Sequence, residues 1–400
     1  MSEFQASNFK KENGGTPDLL GKTELTSPYF FVPPSGTTAE RPQSCAAGTL
    51  RFNTDVGTLE VYRGDTIGWE FIEKREGQYL GGAKATGSSS TSFKGSNNGT
   101  GTRGLFGMGF KSPTGTADID YVTVPTLGNA QDFGDLTAST RNFCCTSSST
   151  RGIFVHGADG NGPAETNIID FINILSRGNA QDFGDATTAR RDKGAVSNGI
   201  RGVFAGGYRE ASSPHLQSHM DAIIIASTGN ARDFDDISAA SRVTASVNSS
   251  TRGVFALAHP GAGNILDFIT ISTMGETKDF GDRTVISDYP TGTSNSTRGL
   301  FAGGDGAGDA ANNVINFITI ATQGDAVDFG DLLSRRTRFV GSTSSSTRGL
   351  FAGGNSPSTD NVIQFVEFAT TGDAADFGDL TATASFGSIA GTCSNGHGGL

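Results

Sequence analysis

Tryptophan and cysteine are nearly absent from this chain, with one Trp and four Cys among 400 residues. Cys45, Cys144, Cys145 and Cys393 show no C-x-x-C spacing, so neither a zinc site nor a disulfide framework is supported. Adjacent Cys144 and Cys145 would project to opposite faces of a strand. No apolar run approaches membrane-spanning length, which excludes insertion by a helix. The opening Met1-Ser2-Glu3-Phe4-Gln5 lacks the basic start and apolar centre of a signal peptide, so synthesis in the cytosol is expected. Charged residues are sparse and skewed: 41 acidic against 30 basic give a net charge of -11, which argues against phosphate backbones and hence against nucleic acid.

Glycine, by contrast, is abundant: 57 residues, with hydrophobic residues at only 35%. That composition suits short strands joined by tight turns. One phrase recurs, Arg-Gly, an aliphatic residue, then Phe, beginning at Arg103, Arg151, Arg201, Arg252, Arg298 and Arg348, in steps of 48, 50, 51, 46 and 50 residues by subtraction. A second phrase keeps the same beat. Asp-Phe-Gly-Asp carries Phe133, Phe183, Phe280, Phe329 and Phe377, and Asp233-Phe234-Asp235-Asp236 is the variant copy. Such a period is that of one supersecondary unit, so residues 83–400 form a repeat domain rather than two or three domains.

Each unit reads as four strands, as in residues 337–344, 348–354, 361–368 and 374–380, with Gly, Asp, Asn or Ser at every junction. The first strand is built of small residues and belongs at a crowded axis. The third is apolar on both faces, as in Ile223-Ile224-Ile225, and belongs between neighbours. The short, charged fourth suits an outer edge. The expectation is an all-β propeller of four-stranded blades. First strands number seven, from Ser92-Phe93-Lys94-Gly95 to the stretch Phe386–Gly391, while complete sets of the other strands number six. Seven blades are favoured slightly over six, closed by a meander at residues 48–73 with the C-terminus as its inner partner.

Before the repeats, residues 1–47 are polar and broken by Pro and Gly, reading as an extended arm whose only strand-sized apolar cluster includes Tyr29, Phe30 and Phe31. Residues 48–82 contain the meander, with the single Trp69 as a core residue.

The unit resembles the kelch repeat, with its inner strand, a second strand ending in Gly-Gly (Gly206-Gly207, Gly303-Gly304, Gly353-Gly354) and an outer fourth, although Phe stands where that family has Trp. The meander is similar to one near the N-termini of many phage tail-fibre proteins. Residues 91–400, with the ending Cys393-Ser394-Asn395-Gly396-His397-Gly398-Gly399-Leu400, resemble virion proteins of phages of marine cyanobacteria. The resemblance implies a virion structural protein: tail fibre or capsid-attached, part of a multi-subunit assembly, docked to other virion proteins through its arm and facing a host glycan or receptor.

Candidate chemistry is thin. Asp-Phe-Gly-Asp evokes the magnesium signature of kinases, but no Gly-rich loop or strand lysine accompanies it, and repetition marks it as structural. The repeated Arg is expected to pair with a repeat Asp or with turn carbonyls. His215 and His219 would clasp a metal only if residues 208–220 were helical, which Pro214 opposes. Asp159-Gly160-Asn161-Gly162 and Asp305-Gly306-Ala307-Gly308-Asp309 hint at calcium, yet the twelve-residue loop with a closing Glu is absent, so no cofactor is expected and calcium stays a weak option. The segments joining strands two and three vary most, at Tyr208, His215, His219, Asp305 and Asn355 among others, and in repeat proteins such variation collects on a binding face. A non-enzymatic attachment role is expected; a glycan-processing enzyme on the particle and an intracellular kelch-type adaptor are the alternatives.

Overall fold

The computed structural model describes residues 34–71, 103–257, 263–306, 311–383 and 391–400, excepting 43–44, 56–57, 66–67, 112–113, 163, 337 and 356–357. Tyr29, Phe30 and Phe31, the stretch around Ser92 and most of that from Phe386 lie outside the described residues. The chain divides into two compact units, Met1–Ala83 and Lys84–Leu400.

In the first unit Leu50–Asn53, Thr58–Tyr62 and Trp69–Phe71 form the meander, and Ser35–Gly36 adds to it in parallel against Phe52 and Asn53. The carboxylate of Glu60 is buried and would be costly alone. It accepts hydrogen bonds from Arg41 (Nε, 3.0 Å) and Asn53 (3.2 Å), with Arg51 at 3.4 Å. Trp69 is half-buried rather than central; its indole N–H donates to the Pro42 carbonyl at 2.9 Å, and its ring lies 5.4 Å from that of Tyr62.

The second unit is all-β, built of four-stranded antiparallel sheets of the propeller-blade type. Sheet 2 has the strands Cys144–Ser147, Arg151–Val155, Ile168–Asn173 and Gln181–Asp185. Sheet 3 (194–236), sheet 4 (243–282), sheet 5 (291–336) and sheet 6 (341–379) repeat that order. Sheet 1 takes its second to fourth strands from Arg103–Gly107, Thr114–Thr123 and Gln131–Arg141, and its first from Thr392–Ser394.

That last pairing corrects the expected closure. The C-terminal strand does interlock the array, but with Arg103–Gly107 (Thr392 opposite Phe106, Ser394 opposite Gly104) and not with the meander, whose described strands pair among themselves and with Ser35–Gly36. The reason is chemical: Thr-Cys-Ser supplies the small side chains that every other first strand supplies, and the copy at 103–141 has no described first strand of its own. First strands of consecutive sheets lie side by side, and Thr392–Ser394 lies between Gly341–Ser344 and Cys144–Ser147, so the succession returns to its start.

Apolar packing sits between sheets rather than within them. One buried cluster joins Phe280 and Phe268 of sheet 4 to Phe301 and Ile318 of sheet 5; another joins Phe329 of sheet 5 to Phe351 and Phe368 of sheet 6. Phe133, Phe183, Phe234, Phe280, Phe329 and Phe377 are all at most 2% exposed, each burial contributing ~1.5–3 kcal/mol.

Candidate functional site

Strand registers separate the two ends of each sheet. In sheet 3 the start of the first strand (Gly194) lies opposite Ala205, and Ala205 lies opposite Met220, so the connections between strands two and three share an end with the segments leading into strand one. Arg201 and the start of the fourth strand lie at the other end.

At the arginine end the repeated residues bind the neighbouring sheet. Arg151 donates from Nη1 to the carbonyls of Ile225 (3.0 Å) and Ala226 (2.9 Å) in sheet 3, and its guanidinium covers Phe171 of its own sheet at 4.8 Å. The same reach takes Arg103 to Ile174, Arg201 to Ile271, Arg252 to Ile320, Arg298 to Phe368 and, from sheet 6 back to sheet 1, Arg348 to Pro125. Across the seam the partners are carbonyls of the next sheet rather than repeat Asp side chains. Asp-Phe-Gly-Asp makes a second seam: Gly178 N–H donates to Phe133 O (3.0 Å), Ala180 N–H to Asp135 O (2.7 Å), and Asp135 N–H to Asn179 Oδ1 (3.2 Å). Gly134 has φ +145°, and a Cβ there would stand 2.6 Å from the Gly178 carbonyl, so glycine is required.

A third seam was not anticipated. Each third strand buries one polar residue, Asp120, Asp170, Asp221, Asp267, Asn316 or Gln364. Each accepts a bond from the sheet before it: Asp170 from Thr137 N–H (2.8 Å), Asn316 from Thr284 N–H (2.8 Å), Gln364 from Leu333 N–H (2.8 Å), and Asp120 from Thr381 N–H (2.9 Å). The signal was present in the sequence as a lone polar residue inside each aliphatic third strand.

Around the axis the first strands are joined by side chains. Ser197 Oγ donates to Ser147 O, Asn248 Nδ2 to Ser197 O, Ser294 Oγ to Asn248 O, Ser344 Oγ to Ser294 O and Ser147 Oγ to Ser394 O, all at 2.7–2.9 Å. They enclose a cavity of about 100 Å³ lined mainly by Ser, Thr and Gly. At the arginine end His397 fills it: Nε2 is 2.9 Å from Ser147 O, and Gly399 N–H donates to Nδ1 at 3.0 Å. Burial pushes the imidazole pKa down to about 4.

The loop end is different in kind. Its side chains form a ladder across sheets 3 to 6, in which Arg191, Arg242 and Arg338 each stand ten residues ahead of a repeated Arg by subtraction, while Tyr208 and Tyr289 do not recur. Arg191 covers Tyr208 at 4.6 Å, Arg242 covers Tyr208 at 4.7 Å and Tyr289 at 5.8 Å, and Arg338 covers Tyr289 at 4.9 Å. His215 stacks on Tyr208 at 5.3 Å. Carboxylates complete it: Arg191 with Glu165 (3.1 Å) and Glu210 (3.2 Å), Arg242 with Asp192 (3.3 Å), Arg338 with Asp305 (3.6 Å). Burial, then the charge of Asp192, raises the Tyr289 phenol. Asn142, Asp192, Tyr289 and Arg338, just ahead of first strands, hold φ of +50° to +56°, a conformation non-glycine residues rarely adopt and one that costs ~1–2 kcal/mol each.

Of the loop residues singled out from sequence, Tyr208, His215 and Asp305 therefore meet at this end. His219 is not in a loop; it opens the strand His219–Ile224 with Nδ1 3.6 Å from Asp236, so the two histidines do not converge. Asn355 bridges Thr359 within its own connection. Among the described residues no three His, Cys, Asp or Glu are grouped to hold a metal, and no helix is long and apolar enough to cross a membrane. The ladder's arginines carried a signal in the sequence, since Arg191, Arg242 and Arg338 each stand ten residues ahead of a repeated Arg by subtraction; Tyr208 and Tyr289 do not recur and carried none.

The sequence matches no known protein-family model and no curated protein at a significant level.

Proposed function

We propose that the chain is a non-enzymatic binding component of a phage particle, a kelch-like propeller of six blades whose loop end faces a host surface glycan or receptor. In this reading the N-terminal segment docks it to other virion proteins. One observation carries the binding role: the repeated Arg-Gly and Asp-Phe-Gly-Asp residues are consumed in seams between sheets, whereas at the opposite end Arg191, Arg242 and Arg338 gather around the unrepeated Tyr208 and Tyr289 together with carboxylates. The carboxylates there are each bridged to an arginine, an arrangement suited to recognition rather than to proton transfer. The phage assignment rests on the sequence resemblance.

Fluorescently labelled protein, incubated with cyanobacterial cells and with their isolated surface polysaccharide, tests this. Binding that weakens at least tenfold in Tyr208→Ala but survives in Arg348→Ala supports the reading. Released sugars, or binding lost only in the seam variant, would overturn it.

A further inference from the structure

The cysteines, uninformative by spacing, are brought into an arrangement at the closure. Cys393 lies in the C-terminal strand of sheet 1 and Cys145 in the adjoining first strand of sheet 2, 248 residues apart by subtraction. A Cβ placed on Gly391 would lie 2.7 Å from Cys145 Cβ, and one on Gly152, which lies opposite Ser147 on the strand paired with Cys144–Ser147, 2.8 Å from Cys393 Sγ. The two side chains share one apolar cluster and both line the axial cavity. Cys144 points the other way, into the cluster between sheets 2 and 3.

We propose that Cys145 and Cys393 are a latent disulfide pair that covalently closes the array. The Cys145 thiolate attacks a small disulfide such as oxidised glutathione, displacing one glutathione thiolate and forming a mixed disulfide. Cys393 then gives up its proton and attacks the Cys145 sulfur, displacing the second glutathione thiolate. Two thiols are oxidised and one glutathione disulfide is reduced to two thiols. The axial cavity places the pair beside space that a small reagent's reactive end can enter. Burial first, and the neighbouring thiol second, hold the Cys145 pKa well above the ordinary thiol range, so attack is slow at neutral pH and faster in alkali. The pair would therefore stay reduced in a cytosol and oxidise only on long exposure outside one. Because the link ties the last strand to the second sheet, it restrains a long loop in the unfolded chain, the case in which a crosslink has most effect.

The test uses the native full chain held with oxidised glutathione at alkaline pH, followed by digestion without reductant. The expected result is a single crosslinked peptide pair containing Cys145 and Cys393, loss of two hydrogens from the intact mass, and a melting temperature raised by about 5 °C, all reversed by dithiothreitol. Cys144→Ser should retain the link. Cys393→Ser, tolerable because Thr and Val occupy equivalent places in other sheets, should abolish it. Glutathione retained on Cys145, a crosslink through Cys144, or both thiols still free after prolonged oxidation would overturn the proposal.

Discussion

Replacing one seam arginine offers the sharpest test of how the sheets hold each other. Arg151→Ala removes two hydrogen bonds to carbonyls of the next sheet, at 3.0 and 2.9 Å, and a guanidinium 4.8 Å above Phe171. A hydrogen bond from a charged donor contributes ~1.5–3 kcal/mol when desolvated, and a cation over a ring ~0.5–1 kcal/mol at a wet site. The Ala226 carbonyl is exposed and regains water in the variant, so its share is small. A total near 3 kcal/mol follows, at the middle of ~2–4. Unfolding entropy for a unit of this length is ~0.7 kcal/mol/K, which converts the loss to a fall of about 4 °C in melting temperature. Arg151→Lys keeps the charge without the planar fork and should fall by about half as much. Calorimetry on purified variants reads both. A change below about 1 °C in Arg151→Ala would refute the claim that these arginines hold adjacent sheets together.

Three further outcomes follow from the axis and one seam. His397 titrates near 6.5 when unfolded and at about 4 when buried, so the unfolded chain binds more protons between those values. Stability should decline as pH falls from about 6.5 to about 4, by roughly 3 kcal/mol in all, and then level off; His397→Gln should lack this component when melting is compared across that range. Gly398→Ala would set its Cβ 1.9 Å from Asn248 O and 2.3 Å from Asn295 O, both backbone, so the tail should leave the axis and become open to carboxypeptidase, with ~2–3 kcal/mol lost. The seam between sheets 3 and 4 lacks the paired bonds found elsewhere and keeps Thr277 N–H to Asp236 O at 3.3 Å, so amides at 272–278 should exchange faster than those at 174–180; equal protection would contradict this.

How much of this was legible in the sequence depended on whether a feature repeats. Arg103 and its equivalents could be recognised as structural because a catalytic group is needed once, and four strands per unit followed from residues and turns alone. Closure was misplaced because a small-residue strand such as Thr392–Ser394 fits any copy equally, and only its register with Arg103–Gly107 decides. Asp235 for Gly, Glu276 for Asn and Thr277 for Ala look like unrelated drift in copies three and four; folded, they face one another across a single seam. Arg191, Arg242 and Arg338 keep a fixed offset from the repeated Arg, but their stacking on Tyr208 and Tyr289, like the approach of Cys145 and Cys393, arises from distant segments meeting.

The strand at Thr392–Ser394 also governs when assembly can finish. During synthesis every earlier sheet can form from segments already emerged, but the first waits with Leu105 and Phe106 uncovered along one flank. Until Thr392–Ser394 emerges, Arg103–Gly107 has no first-strand partner, and two nascent chains side by side could pair with each other instead of closing separately. Delay in that interval favours intertwined pairing between chains; prompt pairing favours closure within one.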